Sequence, residues 1–153
     1  MSAIVVDRQR RLAVSRARLA RAAQASLDAV GRPASEVEIL VVDDAEIAQL
    51  NGRYLGVPRS TDVLAFALEV EGAGGDLLGQ IVVSAETARR HAADLGVPAS
   101  LEMDLLVTHG ILHLVGYDDR DVVEAELMHR REREILNASR RVSARLWTGL
   151  LDD

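Results

Sequence analysis

The chain has 153 residues, 48% of them hydrophobic and 27% charged, and a formal net charge of −6; the length suits one domain and the composition a soluble globular protein. It has no cysteine, which excludes disulfides, thiolate metal ligands and cysteine nucleophiles. All 18 basic residues are arginine, so Schiff-base chemistry and a Walker-type phosphate lysine are excluded as well.

Ala3 to Asp7 reads as a short strand. Arg8, Arg10, Arg11, Arg16, Arg18 and Arg21 then crowd the chain against a single acid, Asp7, and read either as a solvated helix face or as a phosphate-facing stripe. Apolar residues recur at helical spacing from about Leu12 to Val30, until Gly31-Arg-Pro33 stops the helix. Val37 to Val42 is a β-branched run suited to a buried strand, and Asp43 or Asp44 caps a short helix over Ala45 to Tyr54. Val63 to Val70 and Leu77 to Ser84 are predicted strands, with the glycine-rich stretch Glu71 to Gly75 as a hairpin loop. Glu86 to Leu95 is predicted helical and stops at Gly96-Val-Pro98; Ser100 caps the next helix, Leu101 to about Val115. That helix is almost apolar apart from its histidines, as a central, buried helix would be. A charged amphipathic helix from Asp121 to about Asn137 follows, with a helical tail to Trp147.

This order predicts a single domain over residues 1–153 of the α+β class. A four-stranded mixed sheet is expected, with helices packed over one face and the central buried helix carrying the motif described next. No run reaches the ~20 apolar residues of a membrane span, and the N-terminus lacks the long apolar region of a signal peptide; a cytoplasmic protein with no membrane partner is expected. The acidic balance speaks against broad, nonspecific nucleic-acid binding but leaves room for a local basic face.

Chemistry concentrates in His109-Gly-Ile-Leu-His113-Leu-Val-Gly116-Tyr-Asp-Asp119. Positions i and i+4 share a helix face, so the two imidazoles can converge on one ion. Gly116 permits a left-handed exit that can bring Asp119 back as a third ligand. The spacing, H-x-x-x-H-x-x-G-x-x-D, is that of the metzincin metal motif. An unpaired imidazole nitrogen is costly to bury in an apolar helix, which favours the metal over coincidence. Two histidines and one carboxylate leave positions open for water, as in catalytic sites, and bound zinc lowers the pKa of that water to ≈ 7. Gly110 stands where zinc proteases carry their general-base glutamate, so peptide hydrolysis by that route lacks its base.

The same segment resembles the signature of the YbeY family, H-G-x-L-H-L-x-G-Y-D-H. Asn51-Gly-Arg-Tyr54 is similar to that family's N-x-x-Y segment, Ser60-Thr-Asp-Val-Leu-Ala-Phe66 to its T-D-V-L-S-F strand, and Leu78-Gly-Gln-Ile-Val-Val-Ser84 to its L-G-D-I-V-I-S strand. Glu102 to His109 resembles its E-x-x-x-L-x-x-H approach, and Met128 falls where the family has a methionine. The resemblance implies a single-strand-specific endoribonuclease of rRNA maturation and ribosome quality control. It implies one Zn²⁺ per chain (or another divalent transition metal) on His109, His113 and Asp119, with RNA and the ribosome or its assembly factors as partners.

Three departures stand out. Asp119 replaces the family's third histidine, giving a harder, anionic ligand. Leu55 replaces the arginine that, by the resemblance, faces the phosphodiester; Arg59 is the expected catalytic substitute, with Arg53, Thr61 and Asp62 expected to bind substrate. Gln80 replaces an aspartate of the L-G-D strand, removing a carboxylate expected to support the centre. His91 and His129 are expected on helix faces rather than at the metal, and Tyr117 and Asp118 in the turn.

Besides a metal-dependent endoribonuclease, three other readings remain: a ribosome-associated binding module with a mainly structural metal and weak or no nuclease activity, a metalloprotease, which Gly110 weakens, and an Fe(II) oxygenase, which the helical spacing does not suit.

Overall fold

Aliphatic runs at Ala3–Asp7 (β1), Glu36–Val42 (β2), Val63–Val70 (β3) and Leu77–Ser84 (β4) form one four-stranded sheet in the order β1-β2-β4-β3. β1, β2 and β4 run parallel, with Val5 opposite Ile39 and Ile39 opposite Ile81; β3 closes the edge antiparallel, with Ala65 opposite Ile81. The expected α+β class and mixed sheet are therefore present. The structure is a computed structural model that describes residues 3–55, 62–70 and 77–139. The expected hairpin loop at 71–75 and the tail to Trp147 lie outside the described residues.

Among the described residues, five helices accompany the sheet: α1 (Arg16–Ala29), α2 (Asp44–Leu55), α3 (Ala85–Leu95), α4 (Ala99–Leu114) and α5 (Val122–Ser139). Because side chains alternate along a strand, Val37, Ile39, Val41, Ile81 and Val83 face one side, where Leu19, Ala23 and Leu27 of α1 and Met103, Val107 and Ile111 of α4 cover them. Helices were expected over this face alone. α2 instead packs Ile47 and Leu50 against Leu40, Val42, Leu64 and Val82 on the other face. Periodicity identifies a buried helix stripe but not the side of the sheet it meets.

Two helix starts differ from expectation for local reasons. α1 begins at Arg16, not near Leu12, because the Gln9 side chain accepts from the amides of Arg11 (2.8 Å) and Leu12 (2.9 Å) and holds that stretch in another conformation. Ser15 then caps the helix by accepting from the Arg18 amide. α4 starts at Ala99 behind Pro98, without the side-chain cap expected of Ser100. At α2, Asp43 accepts from the Glu46 amide at 2.9 Å. Asp44 turns instead towards the α3 start, accepting from Ser84 Oγ (2.5 Å), Thr87 Oγ1 (2.7 Å) and the Arg90 guanidinium (2.7 Å). Burial pushes the Asp44 pKa up, but these hydrogen bonds and the Arg90 charge outweigh it and hold the carboxyl below its ordinary value.

α4 is the central helix, buried along most of its length. It crosses the sheet so closely that a Cβ on Gly110 would sit 2.8 Å from Ile81 Cγ2, and one on Gly79 would meet Leu114 and the Phe66 carbonyl. Among the described residues, no helix is long and apolar enough to cross a membrane.

Candidate metal centre

The end of α4 is set by Gly116, whose φ of +106° lies in the region L side chains rarely adopt. The Gly116 amide donates to the His113 carbonyl (3.1 Å) and the Tyr117 amide to the Leu112 carbonyl (2.9 Å), the paired bonds of a Schellman stop. Tyr117 packs back on the Leu112–Met128 cluster. Asp118 is consumed by this turn: it accepts from the Asp119 amide at 2.7 Å and pairs with Arg120 Nε at 2.7 Å. Asp119 is left free to face the histidines.

His109, His113 and Asp119 come together as the spacing predicts, each offering a ligand atom within 4.8 Å of the others. Asp119 Oδ2 lies 3.8 Å from His109 Nε2 and 3.9 Å from His113 Nε2. The two Nε2 atoms are 3.1 Å apart, with the rings nearly perpendicular at 84°. The remaining ring nitrogens face acceptors: His109 Nδ1 meets Glu132 Oε1 at 2.5 Å, and His113 Nδ1 meets the Tyr117 carbonyl at 3.1 Å. A carboxylate and a carbonyl can only accept, so each ring, when neutral, carries its hydrogen on Nδ1 and aims its Nε2 lone pair at one space. Two lone pairs at that separation repel unless a cation lies between them. Nitrogen ligands about 2.0–2.1 Å from a tetrahedral zinc stand roughly 3.3–3.4 Å apart, close to the spacing found. The donor set fits a divalent transition metal.

Burial lowers the pKa of His109, but the Glu132 hydrogen bond, reinforced by the charges of Glu132, Asp62 and Asp119, overrides it and leaves the pKa raised. Asp62, at the entry to β3, thus lies within electrostatic reach of the centre. The Arg53 guanidinium sits 5.9 Å from the Tyr54 ring centroid, and Tyr54 packs edge-on against Phe66, which belongs to the cluster under α2. Arg59 and Thr61 lie outside the described residues. Gln80 follows Gly79 and precedes Ile81, both of which meet α4, so its side chain takes the opposite face and reaches Glu38 at 3.4 Å. The aspartate expected to support the centre from that position would have pointed away from it. Of the other histidines, His91 pairs with Glu102 at 2.9 Å, and His129 approaches Glu132 at 3.4 Å.

Glu132 was not anticipated. It is fully buried, yet its only signal in the sequence is a charged residue on an amphipathic helix four positions after Met128.

Two helical histidines and a returning carboxylate beyond a glycine stop form a group that could hold a metal ion beside a mixed sheet. Residues 4–140 match the family described as Endoribonuclease YbeY, and the chain belongs to that family. It is 42% identical over 146 residues to Endoribonuclease YbeY of Pelotomaculum thermopropionicum, covering 89% of this chain and 95% of that protein. The Endoribonuclease YbeY of Geobacter sulfurreducens is 38% identical over 141 residues, covering 88% of this chain and 93% of the relative. In fold, the chain is similar to TM1509 of Thermotoga maritima, known from a solution structure, with a TM-score of 0.58 and 23% identity over 95% of this chain and 90% of that one.

Proposed function

We propose that this chain is a metal-dependent endoribonuclease that cuts single-stranded RNA during rRNA maturation and ribosome quality control in the cytoplasm. The observation that carries the reading is the pair of imidazoles whose Nε2 atoms converge to 3.1 Å beside the Asp119 carboxylate while both Nδ1 atoms face other acceptors, in a chain of the YbeY family. His109, His113 and Asp119 hold one Zn²⁺ or a similar divalent ion, and residues 1–153 act as a single domain. When bound, such an ion acts as a Lewis acid and lowers the pKa of a water ligand to about 7.

The residues around the ion have separate tasks. Glu132 and the Tyr117 carbonyl keep both imidazoles oriented for it. Thr61 and Asp62 bind the substrate strand at the entry to β3. In-line attack on a phosphodiester gathers negative charge on the nonbridging oxygens, and a cation beside the ion offsets it. Leu55 cannot supply that charge. Arg59 does so, with Arg53 contributing to RNA binding from the end of α2.

Two measurements on purified protein test this: metal content, and cleavage of single-stranded rRNA-precursor fragments. One equivalent of metal is expected, and Arg59→Ala is expected to lose on the order of 10²–10³ in cleavage rate with fold and metal retained. Leu55→Arg should restore part of it. Cleavage that persists in an Arg53→Ala, Arg59→Ala double variant would rule the arginine assignment out. A second reading, a ribosome-associated binding module with a mainly structural metal, is favoured by Leu55 and the net charge of −6; wild-type protein with full metal and no cleavage would select it.

A further inference from the structure

Glu132 lies between α4 and α5 with its side chain 0% exposed, and it faces two imidazoles at once. Oε1 is 2.5 Å from His109 Nδ1 and Oε2 is 3.4 Å from His129 Nδ1. Removing an ionised carboxylate from water costs several kcal/mol unless donors replace the lost hydration. Here the donors are the two ring nitrogens. The position is set by packing: Met128 and Ile135 of α5 lock against Leu112 of α4, and Leu136 locks against Leu101 and Leu105. Glu132 follows Met128 by one helical turn and so shares its inward face.

The two histidines of the centre are held by unequal devices. His113 Nδ1 has a neutral carbonyl, that of Tyr117, at 3.1 Å. His109 Nδ1 has a charged and shorter acceptor, and charge-assisted hydrogen bonds are roughly twice as strong as neutral ones. A neutral imidazole carries its hydrogen on one nitrogen only, and the acceptor at one nitrogen decides what the other can do. Without an acceptor at Nδ1, His109 is free to carry its hydrogen on Nε2, the atom that must be bare to ligate.

We propose that Glu132 is a positioning residue of the metal centre: its buried carboxylate holds His109 in the Nδ1–H tautomer and in one ring orientation, so that the Nε2 lone pair is aimed at the space shared with His113 and Asp119. The proposal rests on the reading that these three residues hold the ion. It also makes the docking of α5 on α4 a condition for a well-formed centre, since no residue of α4 supplies that acceptor.

The test uses the full chain as wild type, Glu132→Gln and Glu132→Met. Imidazole ¹⁵N spectra of the metal-free protein, recorded above the imidazole titration, read the His109 tautomer. Competition against a chelating indicator reads the Zn²⁺ affinity. Wild type and Glu132→Gln are expected to show His109 as Nδ1–H, because the amide oxygen still accepts. Glu132→Met fills the volume without accepting; it is expected to turn His109 to Nε2–H and to weaken zinc binding about 10- to 100-fold, with the His113 tautomer unchanged. His109 found as Nε2–H in the wild type would overturn the proposal. So would a folded Glu132→Met variant with wild-type zinc affinity and an unchanged tautomer. If Glu132→Met does not fold, the wild-type and Glu132→Gln spectra decide, and Nε2–H in either overturns it. The spectra need neither metal nor RNA. Wild-type protein that shows Nδ1–H yet binds no zinc would therefore sink the metal reading and leave the role of Glu132 in fixing the ring standing.

Discussion

The polar side chains of α4 fall into two groups that the fold treats in opposite ways. Glu102, Asp104 and Thr108 are all buried and all engaged: Glu102 meets His91 at 2.9 Å, Asp104 meets Arg18 at 3.1 Å, and Thr108 meets Ser26 Oγ at 3.0 Å. Each contact ties α4 to a neighbouring helix. His109 and His113, by contrast, commit one nitrogen each to the protein and turn the other towards a common point. A buried polar group on this helix is thus not in itself a mark of chemistry. The mark is which of its atoms the protein leaves uncommitted.

The sharpest way to break this contrast is to remove members of each group. A His109→Ala, His113→Ala double variant should lose its equivalent of metal altogether, whereas Thr108→Val should keep it; metal analysis after desalting checks both. Stoichiometric metal in the double variant would place the site elsewhere. Thr108→Val should change stability by only about 1 kcal/mol, because Ser26 Oγ also bonds the Ala22 carbonyl at 2.9 Å and is not orphaned.

Asp119 offers the next largest effect. Asp119→Ala should weaken zinc binding on the order of a hundredfold, since losing a ligand costs at least as much as losing its support. Asp119→His should hold or tighten it. Asp118→Ala should act on the turn alone; if it abolished binding while Asp119→Ala did not, the third ligand would be misassigned by one residue.

A smaller effect probes how α4 is seated. Gly110→Ala pushes a methyl into Ile81, and overpacking of this kind costs typically 1–3 kcal/mol, readable as a lowered urea midpoint. The smallest is a pH effect at the start of α2. The Asp44 carboxyl has a folded-state pKa below its ordinary value of 3.8, so its contribution to stability is fully present above that value and is lost as pH falls through the folded pKa. Asp44→Asn should flatten that part of the acid-unfolding curve and leave metal affinity alone.

Much of the centre was legible in the residues because its determinants are local. Two histidines one turn apart, a glycine that ends the helix and a carboxylate three residues later are all set by the chain's own geometry. The strands were legible for the same reason, their bounds falling within a residue of the β-branched runs. What escaped depends on contacts between distant elements. Glu132 is 23 residues from His109, and nothing in its own helix distinguishes it from the acids that face solvent. The face that α2 covers and the direction of Gln80 both follow from sheet register, which no single strand states. Asp104 could not be read as the partner of Arg18, 86 residues away, nor could half the N-terminal arginines be seen to be spoken for: Arg8 pairs with Glu46, Arg11 with Glu86 and Arg18 with Asp104.

Gly110 has a consequence for how this scaffold can be altered. The position following His109 is where a zinc peptidase would carry its acid, and here that position is pressed against Ile81, facing the sheet. A glutamate introduced there would be buried under the helix, out of reach of any substrate. Converting this protein towards peptide-bond chemistry is therefore closed to point mutation: the helix would first have to be rotated about its axis or lifted from the sheet, and either change would move the imidazoles themselves.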